Sequence, residues 1–345
     1  MNDRLLRACR LEKTDKKPIW LMRQAGRYLP EYRGLRRDRD LLSLCKDSEA
    51  AAELTALPVL KFGVDAAILF ADIAVPLEGL GVSFRIVDGE GPVVEKPIRD
   101  EGDVKDIQNF DSSKVGYVYE TIRLARSILN DRVPIIGFAG GPFTTACYMV
   151  GDVVSRDFPL ARSLMYRRPY LWKVLMETVS EAVSQYCKLQ VAAGARVIQL
   201  FDSWAGSLSP SDYRESVLPY VKTLVEDIKN RGVPVIYFTT CSAGMPELLK
   251  RTGADVIGID WRIEIDRAWR SIGYDVGIQG NLDPAVLLAD RHIIVSRAGK
   301  IIDATRDRPG HIFNLGHGVL PETPPDNVAA LVEFVHEYGG RGEEG

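Results

Sequence analysis

Apolar residues gather in short, nearly unbroken runs, each ending on a polar residue or glycine and most followed by a longer amphipathic stretch. The runs are PIWLMR (18–23), DAAILFAD (65–72), VPIIGFAGG (133–141), ARVIQLFDS (195–203), VPVIYFTT (233–240), ADVIGID (254–260), YDVGIQGN (274–281) and HIFNLGHG (311–318). Continuous hydrophobicity in a strand signals burial on both faces, as in a parallel sheet, and alternation with helices signals βαβ units. Eight such units is the number that closes a barrel. A doubly wound open sheet would carry a glycine-rich phosphate or dinucleotide fingerprint in its first βα turn, and none is present. The pattern therefore predicts an α/β fold, a single (βα)8 barrel of the TIM type over about 18–338, in one domain of residues 1–345.

Helix starts fit this parsing. Ser209-Pro210-Ser211-Asp212 offers an N-cap hydroxyl, proline at the first helical position and an acidic residue behind it, and Thr323-Pro324-Pro325-Asp326 repeats the device after the eighth run. YRESVLPYVKTLVEDIKN and NVAALVEFVHEY show helical apolar spacing. Between about 73 and 115, Gly79, Gly81, Gly89, Gly91 and Pro92 surround SFRIVDGEGPVVEKPI, which predicts a β-hairpin inserted after the second strand. A short basic helix is expected at the N-terminus, and the tail GGRGEEG is expected to fray.

Composition narrows the function. With 46% hydrophobic and 26% charged residues the chain can bury a large core, and a net charge of −3 argues against a broad nucleic-acid surface. The charge is unevenly spread: residues 1–40 hold twelve Lys and Arg against six Asp and Glu. A solvated basic face is the plain reading for Arg4, Arg7, Arg10, Lys13, Lys16 and Lys17, and a pocket for a polyanionic small molecule is the specific one for part of the surplus. No apolar run nears the roughly 18 residues that span a membrane, and the start has no signal-peptide pattern, so a cytoplasmic protein without membrane partners is expected. Cys9, Cys45, Cys147, Cys187 and Cys241 are odd in number, scattered and without C-x-x-C spacing. Reduced, mostly buried thiols and no structural zinc follow.

In such a barrel the C-terminal ends of the strands share one mouth, which nominates Arg23, Arg27, Asp72, GFAGGPFTTACY (137–148), Asp202, Ser203, Thr239, Cys241, Asp260, Asn281, Asp283 and His317. Arg23 and Arg27 flank Gln24-Ala25-Gly26, and two guanidinium forks beside a strand end suggest an anion cradle. Asp72 closes a buried run and must be bonded or paired; it could serve a neighbouring arginine or accept N–H groups from a ligand. The glycines of 137–148 suggest close backbone approach to a flat ligand, with Pro142 opening a helix that carries Tyr148. Tyr148 read alone is a core tyrosine. Ser203 lacks a G-x-S-x-G context and suits hydrogen bonding rather than nucleophilic attack. His317 is the histidine positioned for the mouth.

MRQAGRYLPEYR, GFAGGPFTTACYMV, FDSWAGSLSPSDY, QGNLDP and FNLGHGVLPETPPDNV, in order across nearly the whole chain, together resemble the uroporphyrinogen decarboxylase family. The resemblance implies a (βα)8 barrel, usually a homodimer, that converts uroporphyrinogen III to coproporphyrinogen III in haem-type biosynthesis by releasing four acetate carboxyls as CO2, with no metal and no organic cofactor. It implies that Arg23, Gln24, Ala25, Gly26 and Arg27 bind substrate carboxylates, that Asp72 meets the pyrrole N–H groups, and that Tyr148, Ser203 and His317 complete the substrate site. Asp72 and Arg23 would carry the chemistry. This sequence departs from the family pattern at Phe143, Thr145, Gly151-Asp152 and the Thr239–Ser242 run. A corrinoid-linked methyltransferase, the nearest rival, needs H-x-C after the fifth strand and a later cysteine for zinc, whereas the chain has Thr239-x-Cys241 and no cysteine beyond. A tetrapyrrole-binding protein without chemistry would be expected to lack Asp72 or Arg23, and both are present.

Overall fold

In the computed structural model, which describes residues 1–37, 39–87, 89–151 and 157–340, seven of the eight apolar runs form parallel strands. They are β1 (Ala67–Ile68), β4 (Ile135–Gly140), β5 (Val197–Phe201), β6 (Val235–Phe238), β7 (Val256–Gly258), β8 (Gly277–Leu282) and β9 (His311–Leu315), paired side by side in that order. The inserted excursion supplies β2 (Phe84–Val87) and β3 (Gly91–Val94), an antiparallel hairpin apart from the main sheet. Every residue of β4 is buried, as a strand covered on both faces requires.

The first expected strand is the exception. Residues 18–22 sit between β9 and β1 but make a single parallel bridge, Ile19 with Phe313. Side chains supply what the ladder lacks. Gln24 accepts the Leu21 N–H and donates to the Ala66 carbonyl, each at 3.0 Å, while Asp65 accepts the Ile19 N–H at 2.8 Å and Asn314 that of Met22 at 3.1 Å. Pro18 brings no N–H of its own. The barrel is thus closed by a few backbone bonds, among them Phe313 N–H to the Pro18 carbonyl and Asp65 N–H to the Ile19 carbonyl, each at 2.8 Å, together with two carboxamides and a carboxylate, where the sequence pattern suggested a regular strand.

Helices follow the strands with three departures from expectation. Ser209 caps Pro210–Ser216 by accepting the Asp212 N–H, as expected, but the helical stretch after it breaks at Val217 into a second helix, Leu218–Lys229, whose Pro219 has no N–H to continue the first. At the other device the frame shifts: Pro324 is the N-cap of Pro325–Gly339, and the buried Thr323 hydroxyl has no partner among the described residues. The short N-terminal helix is Arg4–Cys9. Its surroundings are less solvated than the charge pattern implied: Arg4 pairs with Asp15 and the buried Asp65, and Lys17 donates to the Thr305 carbonyl at 2.7 Å. Burial, with Arg306 nearby, pushes the Lys17 ammonium down to about 8. Four cysteines are buried and Cys241 is exposed. Asp152 and the tail beyond Gly340 lie outside the described residues.

Candidate active site

The interior of the barrel is polar at mid-height and aromatic above. Trp20 donates to Gln279 at 2.9 Å and Gln279 to Gln199 at 3.1 Å, joining the 18–22 segment to β8 and β5 across the lumen. Toward the C-terminal ends, Phe138, Phe201 and Phe238 stack edge to face at 5.6 and 6.0 Å, and the His317 ring meets Phe238 at 6.4 Å. These rings form an apolar floor under the mouth. The sequence reading missed them, although Phe138, Phe201 and Phe238 share one position: the last large residue of consecutive strands.

Arg23 leaves the barrel wall with a φ of +60°, a left-handed conformation that costs a non-glycine residue about 1 kcal/mol and tends to persist at functional sites. Its side-chain stem lies on Gly318, where any Cβ would collide with it. The loop around it is tied down: the Tyr28 hydroxyl donates to the Gln24 carbonyl at 2.7 Å, and the Arg33 guanidinium to the carbonyls of Arg27 and Tyr28 at 2.9 and 3.0 Å. Arg23 and Arg27 are exposed, Ala25 and Gly26 half-buried. Gln24 differs from its neighbours: it is fully buried with its carboxamide bonded to the barrel wall, so it positions the loop.

Asp72, four residues beyond β1, is half-buried and accepts the Ala74 N–H at 2.9 Å. Burial pushes its carboxyl above the ordinary value, and the Ala74 N–H and the positive charge of Arg23 only partly oppose this. Tyr148, on the helix Pro142–Met149, is 6% exposed and accepts a hydrogen bond from Trp204 Nε1 at 3.0 Å. Because an indole only donates, the tyrosine uses a lone pair here, and its own O–H is left to donate elsewhere. Burial raises the phenol's pKa; the charges of Asp72 and Arg23 both reach it, in opposite senses. Ser203 is 8% exposed at the end of β5, and its carbonyl accepts from the Thr240 hydroxyl at 2.6 Å. The Gly318 N–H donates to Nδ1 of half-buried His317 at 2.7 Å, leaving Nε2 on the far side of the ring.

Other nominated residues turn out to build the walls. Asp202 accepts from the Thr144 N–H and the Tyr237 hydroxyl at 2.8 and 2.9 Å, and Tyr213 donates to Tyr237 behind it. Asp260 holds the Cys241 N–H at 2.9 Å and the Arg262 guanidinium; Asn281 donates to the carbonyls of Asp260 and Ile263; Asp283 caps a short turn at Ala285. Thr239 accepts the Gly206 N–H at 3.0 Å, so the unusual 239–242 run laces three loops together. The glycines of 137–148 do not open backbone to a ligand. A Cβ at Gly137 would meet Gln190, at Gly140 Thr145 and at Gly141 Asp202, so protein fills the space. Phe143 is buried against Trp172. Among the described residues no three His, Cys, Asp or Glu side chains converge as metal ligands.

The model of the family described as uroporphyrinogen decarboxylase matches residues 1–338. Uroporphyrinogen decarboxylase of Sorangium cellulosum is 49% identical over 337 residues, 97% of this chain and 96% of the relative, and that of Carboxydothermus hydrogenoformans 48% over 338 residues, 98% and 97%. Among solved structures, a methyltransferase from Methanosarcina mazei superposes with a TM-score of 0.82 over 98% of both chains at 19% identity, a likeness of fold alone. The chain belongs to the uroporphyrinogen decarboxylase family.

Proposed function

We propose that this member of the uroporphyrinogen decarboxylase family removes the four acetate carboxyls of uroporphyrinogen as CO2, yielding coproporphyrinogen, and that Asp72 carries the reaction. The observation behind the assignment is the carboxylate of Asp72 itself: half-buried, held through one backbone N–H, with Arg23 as its nearby positive charge.

Protonation of a pyrrole carbon creates an iminium-like cation. The electron pair of the C–CO2⁻ bond then flows into the ring and CO2 departs, leaving an exocyclic methylene. A second proton converts the methylene to methyl, and loss of the first restores the aromatic ring. Asp72 accepts the pyrrole N–H groups, whose bonds strengthen as the ring becomes positive, so the interaction favours the transition state over the ground state. Arg23 and Arg27 hold acetate and propionate carboxylates in the fork geometry suited to guanidinium groups. An arginine gives up its proton only above about pH 12, so Arg23 serves as a proton route through a water or a substrate carboxyl. The Tyr148 O–H, with a lone pair occupied by Trp204, donates to a substrate carboxylate, Ser203 stands beside it on the neighbouring β5 loop and His317 on the loop after β9, and the three phenylalanines receive the apolar pyrrole faces.

The charge pattern, reduced cysteines and family habit support a homodimer working in the cytoplasm without metal or organic cofactor. Anaerobic incubation with uroporphyrinogen, following CO2 and separating the products, tests the activity. Four CO2 per tetrapyrrole is expected, and no release overturns the assignment.

A further inference from the structure

A second recess opens beside the mouth. The loops after β6 and β7, with the start of the helix Pro210–Ser216, enclose a cleft of about 470 Å³ whose lining includes Arg214, Arg251 and Arg267, with Glu247 the one carboxylate among its lining residues. An adjoining recess of about 270 Å³ shares Ala243, Ile263 and Arg267 with it and adds Trp261, Arg262 and Glu264.

The guanidinium groups of Arg214, Arg251 and Arg267 have no ion pair or hydrogen bond among the described residues. Two nearby acids are committed elsewhere, Asp266 lying 3.5 Å from Arg270 and Asp275 2.6 Å from Lys250, which leaves Glu247 as the carboxylate facing the three arginines in the cleft and Glu264 in the adjoining recess. Three unpaired guanidinium groups around one concavity form a positive field that a polyanion would relieve. The cleft also touches the mouth. A Cβ on Gly316, next to His317, would collide with the backbone of Trp261, and Arg262 sits 4.0 Å over the Trp261 ring while paired to Asp260 at the end of the sixth apolar run.

We infer that this cleft is an outer carboxylate site, where the peripheral carboxylates of the porphyrinogen are gathered before the ring enters the mouth. The inference rests on the proposed substrate, whose eight carboxylates exceed what Arg23 and Arg27 can hold. Exposed arginines act on encounter rather than on chemistry, because their attraction is long-ranged and salt-screened.

The test is the triple variant Arg214→Gln, Arg251→Gln, Arg267→Gln, with folding checked by circular dichroism. At low salt its kcat/KM for uroporphyrinogen should fall about tenfold with kcat unchanged, and the gap to the native protein should close at high salt. Binding of uroporphyrin, the oxidised octacarboxylate, followed by tryptophan quenching, should weaken in parallel. That readout needs no turnover, so a native protein that binds uroporphyrin but releases no CO2 would fail the activity while leaving the cleft's role standing. Native kcat/KM and native salt dependence in the variant would overturn the inference. So would a change of oligomeric state, which would make the arginines a subunit contact, or displacement of uroporphyrin from the native cleft by equimolar inorganic pyrophosphate, which would make it a phosphate site.

Discussion

The run DAAILFAD begins and ends on aspartate, and the two carboxylates meet opposite fates at the two ends of one strand. Asp65, at the closed end of the barrel, is 1% exposed and accepts from Asn2 at 2.7 Å, Arg4 at 3.0 Å, the Ile19 N–H at 2.8 Å and His336 at 2.8 Å. Burial alone would raise its pKa, but His336, the Ile19 N–H and Asn2 outweigh burial and hold the carboxyl below the ordinary range. Asp72, at the open end, has the Ala74 N–H and the more distant charge of Arg23, and its pKa is raised. A saturated carboxylate is a fastener. An under-coordinated one retains lone pairs for a ligand, at a cost in stability that only the bound ligand offsets.

Breaking the fastener should have the largest effect. Asp65→Ala strands His336, Arg4 and the Ile19 N–H and should lower unfolding free energy by about 3 kcal/mol in urea titrations, turnover of the folded fraction being little changed. An unaltered urea midpoint would show that the four contacts add no stability. Asp72→Asn should do the reverse, lowering kcat by about 10²–10³-fold with the melting temperature within a few degrees of native. Near-native turnover would remove Asp72 from the chemistry.

The same pair should separate on the pH axis. Asp65, with its lowered pKa, contributes stability that is complete above the ordinary aspartate value of about 3.9 and is lost as pH falls below it. Asp72, with its raised pKa, takes up its proton above that value, so the acid limb of kcat should lie where the fold is still intact. Coincident loss of activity and of native circular dichroism on acidification would contradict this.

Smaller effects sharpen the picture of the mouth. Arg27→Ala should raise KM about tenfold at low salt and less at high salt, because screening already weakens the native pairing. A salt-independent change would indicate packing. Trp204→Phe keeps an aromatic ring beside Phe158 but frees the Tyr148 hydroxyl to turn inward, and should cost a few-fold in kcat/KM, about 1 kcal/mol. In a Tyr148→Phe background the same change should have no further effect, and an additive loss would mean that Trp204 acts by packing.

Seven of the eight strands, their parallel order, the inserted hairpin and the Ser209 cap were legible because each is written in local hydrophobic period and turn chemistry. So was the arginine loop, whose residues are contiguous. Less was legible where side chains replace backbone: Gln24 reads as one more member of the loop, yet it stands in for the ladder of a strand that makes only one bridge. The glycines of 137–141 read as room for a ligand, and Gln190 and Asp202, more than fifty residues away, occupy that room.

From its residues alone the chain specifies a buried parallel barrel and a cluster of cations at the first strand end, since both follow from neighbours in the chain. Tertiary structure decided which of two aspartates on one strand stays available, which rings floor the mouth, and that Arg214, Arg251 and Arg267 meet around one recess. Desolvation and pairing depend on what surrounds a group in space, and those surroundings come from segments far apart in sequence.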